Sequence, residues 1–557
     1  MAQLHVTKNP TQPSSSVSHS LHSQKPKKQA LTTTAMVSQY GIKYAVHIIT
    51  NHFGPLVAKV CDCLLKKGPL PLREIVRYTE LSETLVRNCL LVLIQHNCLQ
   101  PFLLEEEGGF GEVNKVSSLY MVLFDNVLHR VRFSKFMAIV SQEFNKLCVD
   151  LIETLLQHGR LSSEQIFDGF RDSTEGNSSG GMEALQENIH KLVMARYVER
   201  CPISEPFLAL PSEEEAEAAR RRGAKSAKVF LEPETLEQRV LAAAVPPEGM
   251  RFSFELNPEI GADREKAENS STGDKRKHDA LESGTDGGFV DKQVVLWRVN
   301  CEEFTRRLRH KICIEIVRTR LDDEAATVFT AMLNASRSEE KKIKTASSVP
   351  LSENSIYAEV IKSEKGRNMT LDYVISVLVG LSSSPPFVRV VDNSYSIDYK
   401  HIIEVAQTDE VESIVYKKYG KDAYRMFRLL SKTGRFLETD KISDSIFVEK
   451  KETANILSKM WQGDYLQMEK LVAGPTQFLL WKVNMINLRE RVLDDMFHAS
   501  LNLSLRVAYE LEQQKEILHL GVDGQCKEKY EKLKKVRFLL ESSRMKLDDA
   551  IMIFHDF

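Results

Sequence analysis

The residues with most to offer chemically are cations in short clusters. Lys450, Lys451, Asn455 and Lys459 are one such group, and the last three recur at i, i+4, i+8, which puts them along one face of a helix. Arg306, Arg307, Arg309 and Lys311 form a second group, and Lys341, Lys342 and Lys344 a third. Ammonium and guanidinium groups neutralise backbone phosphates without reading bases, and an asparagine amide adds a hydrogen-bonding arm. Lys450, Lys451, Asn455, Lys459, Arg306, Arg307, Lys341 and Lys342 are therefore the candidate contacts to a DNA backbone. The plainer alternative for the arginine and loop clusters is a solvated face. Covalent chemistry has no comparable signal: no G-x-x-x-x-G-K-[ST], H-E-x-x-H or G-x-S-x-G run occurs. Gly108-Gly109-Phe110-Gly111 is glycine-rich, but Glu105 to Glu107 precede it and would repel a phosphate. Cys61 and Cys63 are close together without a second pair or a histidine cluster, so neither a metal nor a cofactor is expected.

The bulk properties narrow the field. The chain has 557 residues, room for roughly three to four domains. Hydrophobic residues are 42%, charged residues 27% and the net charge is −2, so no global basic excess drives nucleic-acid binding and local patches must carry it. No apolar run reaches the roughly 18 residues of a membrane span, and no membrane association is expected. Residues 1–35 are rich in Ser, Thr and Lys without an acidic residue and read as a disordered tail.

The elements that must position the cations follow a recurring plan of short helices, one longer helix and a hairpin. In the first unit, 36–125, Ser82 is an N-cap, and Leu85, Val86, Cys89, Leu90, Leu93 and Ile94 make an apolar helical face. Strands follow at 98–104 and 116–124, and Pro101 argues for an edge strand. The second unit spans 130–210, with Gly159 parallel to Gly68 as a helix stop and a strand at 197–201. Residues 211–289 read as a linker with a disordered insertion. The third unit, 290–400, opens on a strand at 294–299 and ends in a hairpin around Asp392-Asn393-Ser394. The fourth, 401–485, carries Lys450 to Trp461 as its long helix. From 486 to 557 the pattern becomes two long helices around a glycine turn, with a seam of Cys526, Tyr530, Leu533, Arg537, Leu540, Arg544, Leu547, Ile551 and Phe554 alternating steps of four and three. The expected class is mainly α with small β wings: four tandem winged-helix domains plus a C-terminal antiparallel coiled-coil hairpin.

Two stretches carry a family resemblance. QYGIKYAVHIITNHFGPLVAKVCDCLLKKGPLPLREIV, with LVRNCLLVLIQHN after it, resembles the winged-helix subunit specific to RNA polymerase III, the largest member of that enzyme's initiation heterotrimer. FVEKKETANILSKMWQGDYLQMEKL, then FLLWKVN, resembles that family's fourth winged helix, which is similar to the large subunit of TFIIE. The resemblance implies a nuclear, non-catalytic subunit with no active site of its own. It implies partners in two smaller heterotrimer subunits and the polymerase clamp, and a role in opening promoter DNA at tRNA, 5S rRNA and other small-RNA genes. Two other classes fit the bare pattern: a free-standing winged-helix DNA-binding regulator, and a winged-helix scaffold of a non-transcription complex.

Overall fold

A computed structural model describes residues 37–106, 115–171, 179–209, 235–254, 294–337, 339–340, 344–383, 386–473, 476–513, 515 and 527–557. The expected tail at 1–35, the insertion at 257–288, the glycine turns at 108–111 and 521–524, and Lys341 and Lys342 lie outside these residues. The described chain is mostly helical, with four three-stranded sheets. None of its helices is long and apolar enough to cross a membrane.

In the first unit, helices Gln39–Phe53, Pro55–Lys67, Leu72–Thr79 and Glu83–Gln95 precede strands Leu99–Glu106 and Lys115–Val122. Ser82 caps the long helix by accepting from the Leu85 amide, and Val86, Cys89, Leu90 and Leu93 are its buried face. Pro101 does not mark an edge. Strand 99–106 is the middle one, flanked by 115–122 and by Phe207–Leu208. The Leu103 amide donates to the Pro206 carbonyl on the side away from 115–122, and the two-residue alternation puts the Pro101 nitrogen on that same side, before pairing begins. The proline's missing donor therefore breaks no ladder bond. Gln100 fills the gap by donating from its side chain to the Ile203 and Ser204 carbonyls, each at 3.1 Å.

The second unit departs from its expected limits. Helices Phe133–Glu143, Lys146–His158, Ser163–Arg171 and Ser179–Met194 lead to strand Val198–Arg200. Its partner strand is Leu296–Val299, pairing Val198 with Val299 and Arg200 with Trp297, and on the other side Leu161 with Trp297. The strand expected to open the third unit thus completes the second. Conversely, Phe207–Leu208 leaves the second unit for the first sheet. The expected linker holds helix Leu236–Ala244, whose Val240 packs with Phe102, Met121, Leu123 and Leu208. Gly159 has φ 84°, and a Cβ there would lie 2.1 Å from the Gln95 carbonyl. Only glycine lets the two units approach so closely.

Helix Cys301–Arg320 joins the second and third cores: Phe304 and Leu308 enter one, Cys313 and Val317 the other. The third hairpin pairs Val391 with Ser394 across Asp392 and Asn393, both at positive φ, so it is a two-residue turn of the I′ kind. In the fourth, Lys421–Thr433, Thr439–Ile446 and Lys450–Gln462 precede strands Gln467–Ala473 and Thr476–Lys482. Helices Met485–Gln513 and Lys527–His555 pack on each other. The expected seam places Arg537 inside, but it lies on the surface, bonded to Glu541 at 2.8 Å. One apolar core then unites the first unit, the fourth unit and these terminal helices.

Candidate nucleic-acid interface

Helix Lys450–Gln462 buries Thr453, Leu457 and Met460 and leaves Lys451, Asn455 and Lys459 outside. The three stand at successive turns, about 6 Å apart by helical rise. Neither Lys451 nor Lys459 has a carboxylate within ion-pair distance among the described residues. Lys450 differs. Asp440 accepts from its ammonium at 2.9 Å and, with Asp444 and Glu438 nearby, raises its pKa. Its charge is partly spent within the fold. The chain enters this helix through Phe447, which is 93% exposed in the left-handed region at φ 60°.

The arginine cluster is a correction. Arg306 is buried, with an ion pair to Glu303 and its Nε 3.6 Å from Glu340. Arg307 donates to the Tyr197 hydroxyl at 3.1 Å and pairs with Glu143 at 3.0 Å. Arg309 pairs with Glu340 at 2.7 Å and stacks over Tyr399. Burial would raise the Glu340 pKa, but the His310 hydrogen bond and the Arg309 charge outweigh it and hold the group below its ordinary value. Burial likewise keeps His310 below its usual pKa. These cations are neither a solvated face nor phosphate contacts; they bind the second unit to the third. Part of this was readable: Glu303 stands three and four residues before Arg306 and Arg307, the spacing of helical ion pairs. Glu340 and Glu143, remote in sequence, gave no such signal.

The other long helices offer less. Arg87 is taken by Glu83 at 2.5 Å and Lys191 by Glu187 at 2.8 Å, each one turn away. Of the cations in the three clusters, the described residues keep Lys450, Lys451 and Lys459, with Asn455 between the last two, and also Lys311 and Lys344, at the surface.

Comparison with known proteins bears on the same units. Residues 43–103 match the RNA polymerase III subunit RPC82 helix-turn-helix domain, residues 187–406 match RNA polymerase III subunit RPC82, and residues 411–477 match the POLR3C C-terminal winged-helix domain. The chain belongs to the RPC3 (RPC82) family of RNA polymerase III subunits. The bovine and human proteins called DNA-directed RNA polymerase III subunit RPC3 are 21% and 22% identical over 497 residues, covering 86% of this chain and 86% of each relative. The Dictyostelium discoideum protein of that name is 21% identical over 628 residues, with 86% and 93% covered. The family's C-terminal winged-helix match takes in the whole of helix 450–462, so the exposed lysine face is set on a winged-helix domain.

Proposed function

We propose that this chain is a nuclear, non-catalytic subunit of RNA polymerase III that acts in initiation and in opening promoter DNA at tRNA, 5S rRNA and other small-RNA genes. Its architecture is four winged-helix domains and a C-terminal coiled-coil hairpin, and its partners are two smaller companion subunits and the polymerase clamp. Family membership over most of the chain supports the polymerase assignment. The observation that carries the DNA-contacting part is the exposed face of Lys451, Asn455 and Lys459, where two lysines lack internal partners among the described residues. Such a face can hold a phosphate backbone without reading sequence, which suits an enzyme serving many promoters. Lys450 contributes less, because Asp440 already neutralises it.

The test of the assignment is recovery of a tagged chain from nuclei at about 0.3 M salt, where exposed electrostatic contacts are screened. The expected result is co-recovery of the large polymerase subunits with two small companions. A chain recovered alone, and binding DNA tightly by itself, would replace the subunit reading with that of a free regulator.

A further inference from the structure

A cavity of about 250 Å³ opens where the first unit, the start of the second and both terminal helices meet. His47, Ile48, Asn51 and His52 reach it from helix 39–53, and Arg130, Val131 and Ser134 from the chain that enters the second unit. Ser504 and Arg544 close it from the two terminal helices. The lining contains two guanidinium groups, two imidazoles, two hydroxyls and an amide, and no carboxylate.

Arg130 decides what could fill it. Its guanidinium lies between Phe53, 4.5 Å away, and Phe133, 5.3 Å away, and it bonds the Cys98 thiol. Its Nε is buried without a hydrogen-bond partner. Two residues later, Arg132 shows how this chain treats a buried guanidinium when it is only structural: Asp548 at 3.0 Å and Asp556 at 2.8 Å neutralise it. Arg130 and Arg544 receive no such carboxylate among the described residues. Asp548, one turn past Arg544, is already committed to Arg132 and Lys135. A partly buried cation pair with no internal counter-ion is stabilised by an anion from outside.

We infer that this cavity is a binding site for a compact phosphate anion, inorganic phosphate or pyrophosphate. Polar groups converge on it from four separate chain segments, an arrangement that suits a tetrahedral oxyanion better than a planar carboxylate. Guanidinium forks make short charge-assisted bonds to phosphate oxygens; burial, with the Arg544 charge adding to it, keeps His47 and His52 below the usual imidazole pKa, so they line the cavity as neutral rings. The cavity stands apart from the lysine face of helix 450–462, and no DNA duplex fits within it. An occupant would tie the first unit to the terminal helices.

Isothermal titration of the full chain with inorganic phosphate, and separately with pyrophosphate, at fixed ionic strength tests the inference. Saturable one-to-one binding of at least one of them is expected, and the stronger of the two identifies the source. Arg544→Gln is expected to weaken that binding by at least about tenfold, the scale of one lost charge-assisted contact. Arg506→Gln, which alters an exposed arginine paired with Glu510 on helix 485–513 and outside the lining, should leave it unchanged. His47→Gln carries the same expectation as Arg544→Gln and decides the matter if the latter fails to fold. Absence of saturable binding of both anions would overturn the site. So would equal affinity in the lining variants, or binding of acetate as tight as that of phosphate.

Discussion

Lys451 and Lys459 are exposed and have no ion-pair partner among the described residues, so replacing them should expose function without disturbing structure. The double substitution Lys451→Glu, Lys459→Glu is expected to lower DNA retention by the intact polymerase by at least about tenfold and to reduce the slope of log affinity against log salt by about 2. The thermal midpoint of the isolated chain should stay unchanged, because neither side chain has an ion-pair partner among the described residues to lose. Filter retention across a salt series measures the first and calorimetry the second. An unchanged salt slope would move the DNA contact elsewhere. Lys450→Glu alone should do less, since its ammonium already serves Asp440. Buried groups at the Arg132 junction make a separate, pH-dependent forecast. Burial, with Arg132 adding to it, holds His129 neutral at a pKa of about 4, against about 6.5 in an unfolded chain. The unfolded state therefore takes up a proton that the folded state refuses, and stability, full above about pH 6.5, declines as the pH falls toward 4. Asp548 acts later. Burial would raise its pKa, but Arg132 and Lys135 lower it overall. Its contribution is present above the unfolded carboxylate value of about 3.9 and is lost as the pH falls below it. Thermal midpoints between pH 7 and 4 should fall steadily, and His129→Asn should flatten that limb by about one proton.

Whether an element exists was far easier to read than what it pairs with. The cap at Ser82, the helix stops at Gly68 and Gly159, and the Asp392-Asn393 turn depend on residues within a few positions of each other, and sequence shows them directly. Strand Leu296–Val299 was legible as a strand, but its partners Val198–Arg200 and Leu161–Ser162 lie about 100 and about 135 residues back, across an insertion. Alternation sets which side chains share a face; it does not name the neighbouring strand. The arginine run 306–311 was equally legible as charge, while the carboxylates that bury it come from Glu143 and Glu340 on other segments. Trp297 tests the reassigned strand. It is 2% exposed, and its indole donates to the Ser163 hydroxyl at 3.0 Å. Trp297→Ala should cost about 3–5 kcal/mol, as large aromatic truncations in cores do. Hydrogen exchange should show the loss in strand 198–200 while the third hairpin at 388–397 keeps its protection. Loss confined to 388–397 would return the strand to the third unit.

The first unit and the terminal helices are built into one another. Phe497 of the first terminal helix lies with Tyr44, Phe124 and His555 around it, ring centroids 5.9 to 6.2 Å away. The Tyr40 amide donates to Asp494 at 3.0 Å, 454 positions apart. The terminal helices, by contrast, leave Leu505, Tyr509, Phe538 and Leu539 48 to 72% exposed. Apolar side chains in that number on one helix pair are the kind of surface that a partner covers. A core shared by the first unit, the fourth unit and the terminal helices, with an exposed lysine face on helix 450–462, is the geometry expected of a subunit that docks on a larger enzyme and holds DNA against it. Placing a photo-crosslinking amino acid at position 455, between Lys451 and Lys459, in polymerase assembled on a promoter measures this most directly. A crosslink from position 455 to promoter DNA, with none from a control at position 307, is the expected result. Assembled polymerase that gives no DNA crosslink from position 455, or gives one from position 307 instead, would contradict it.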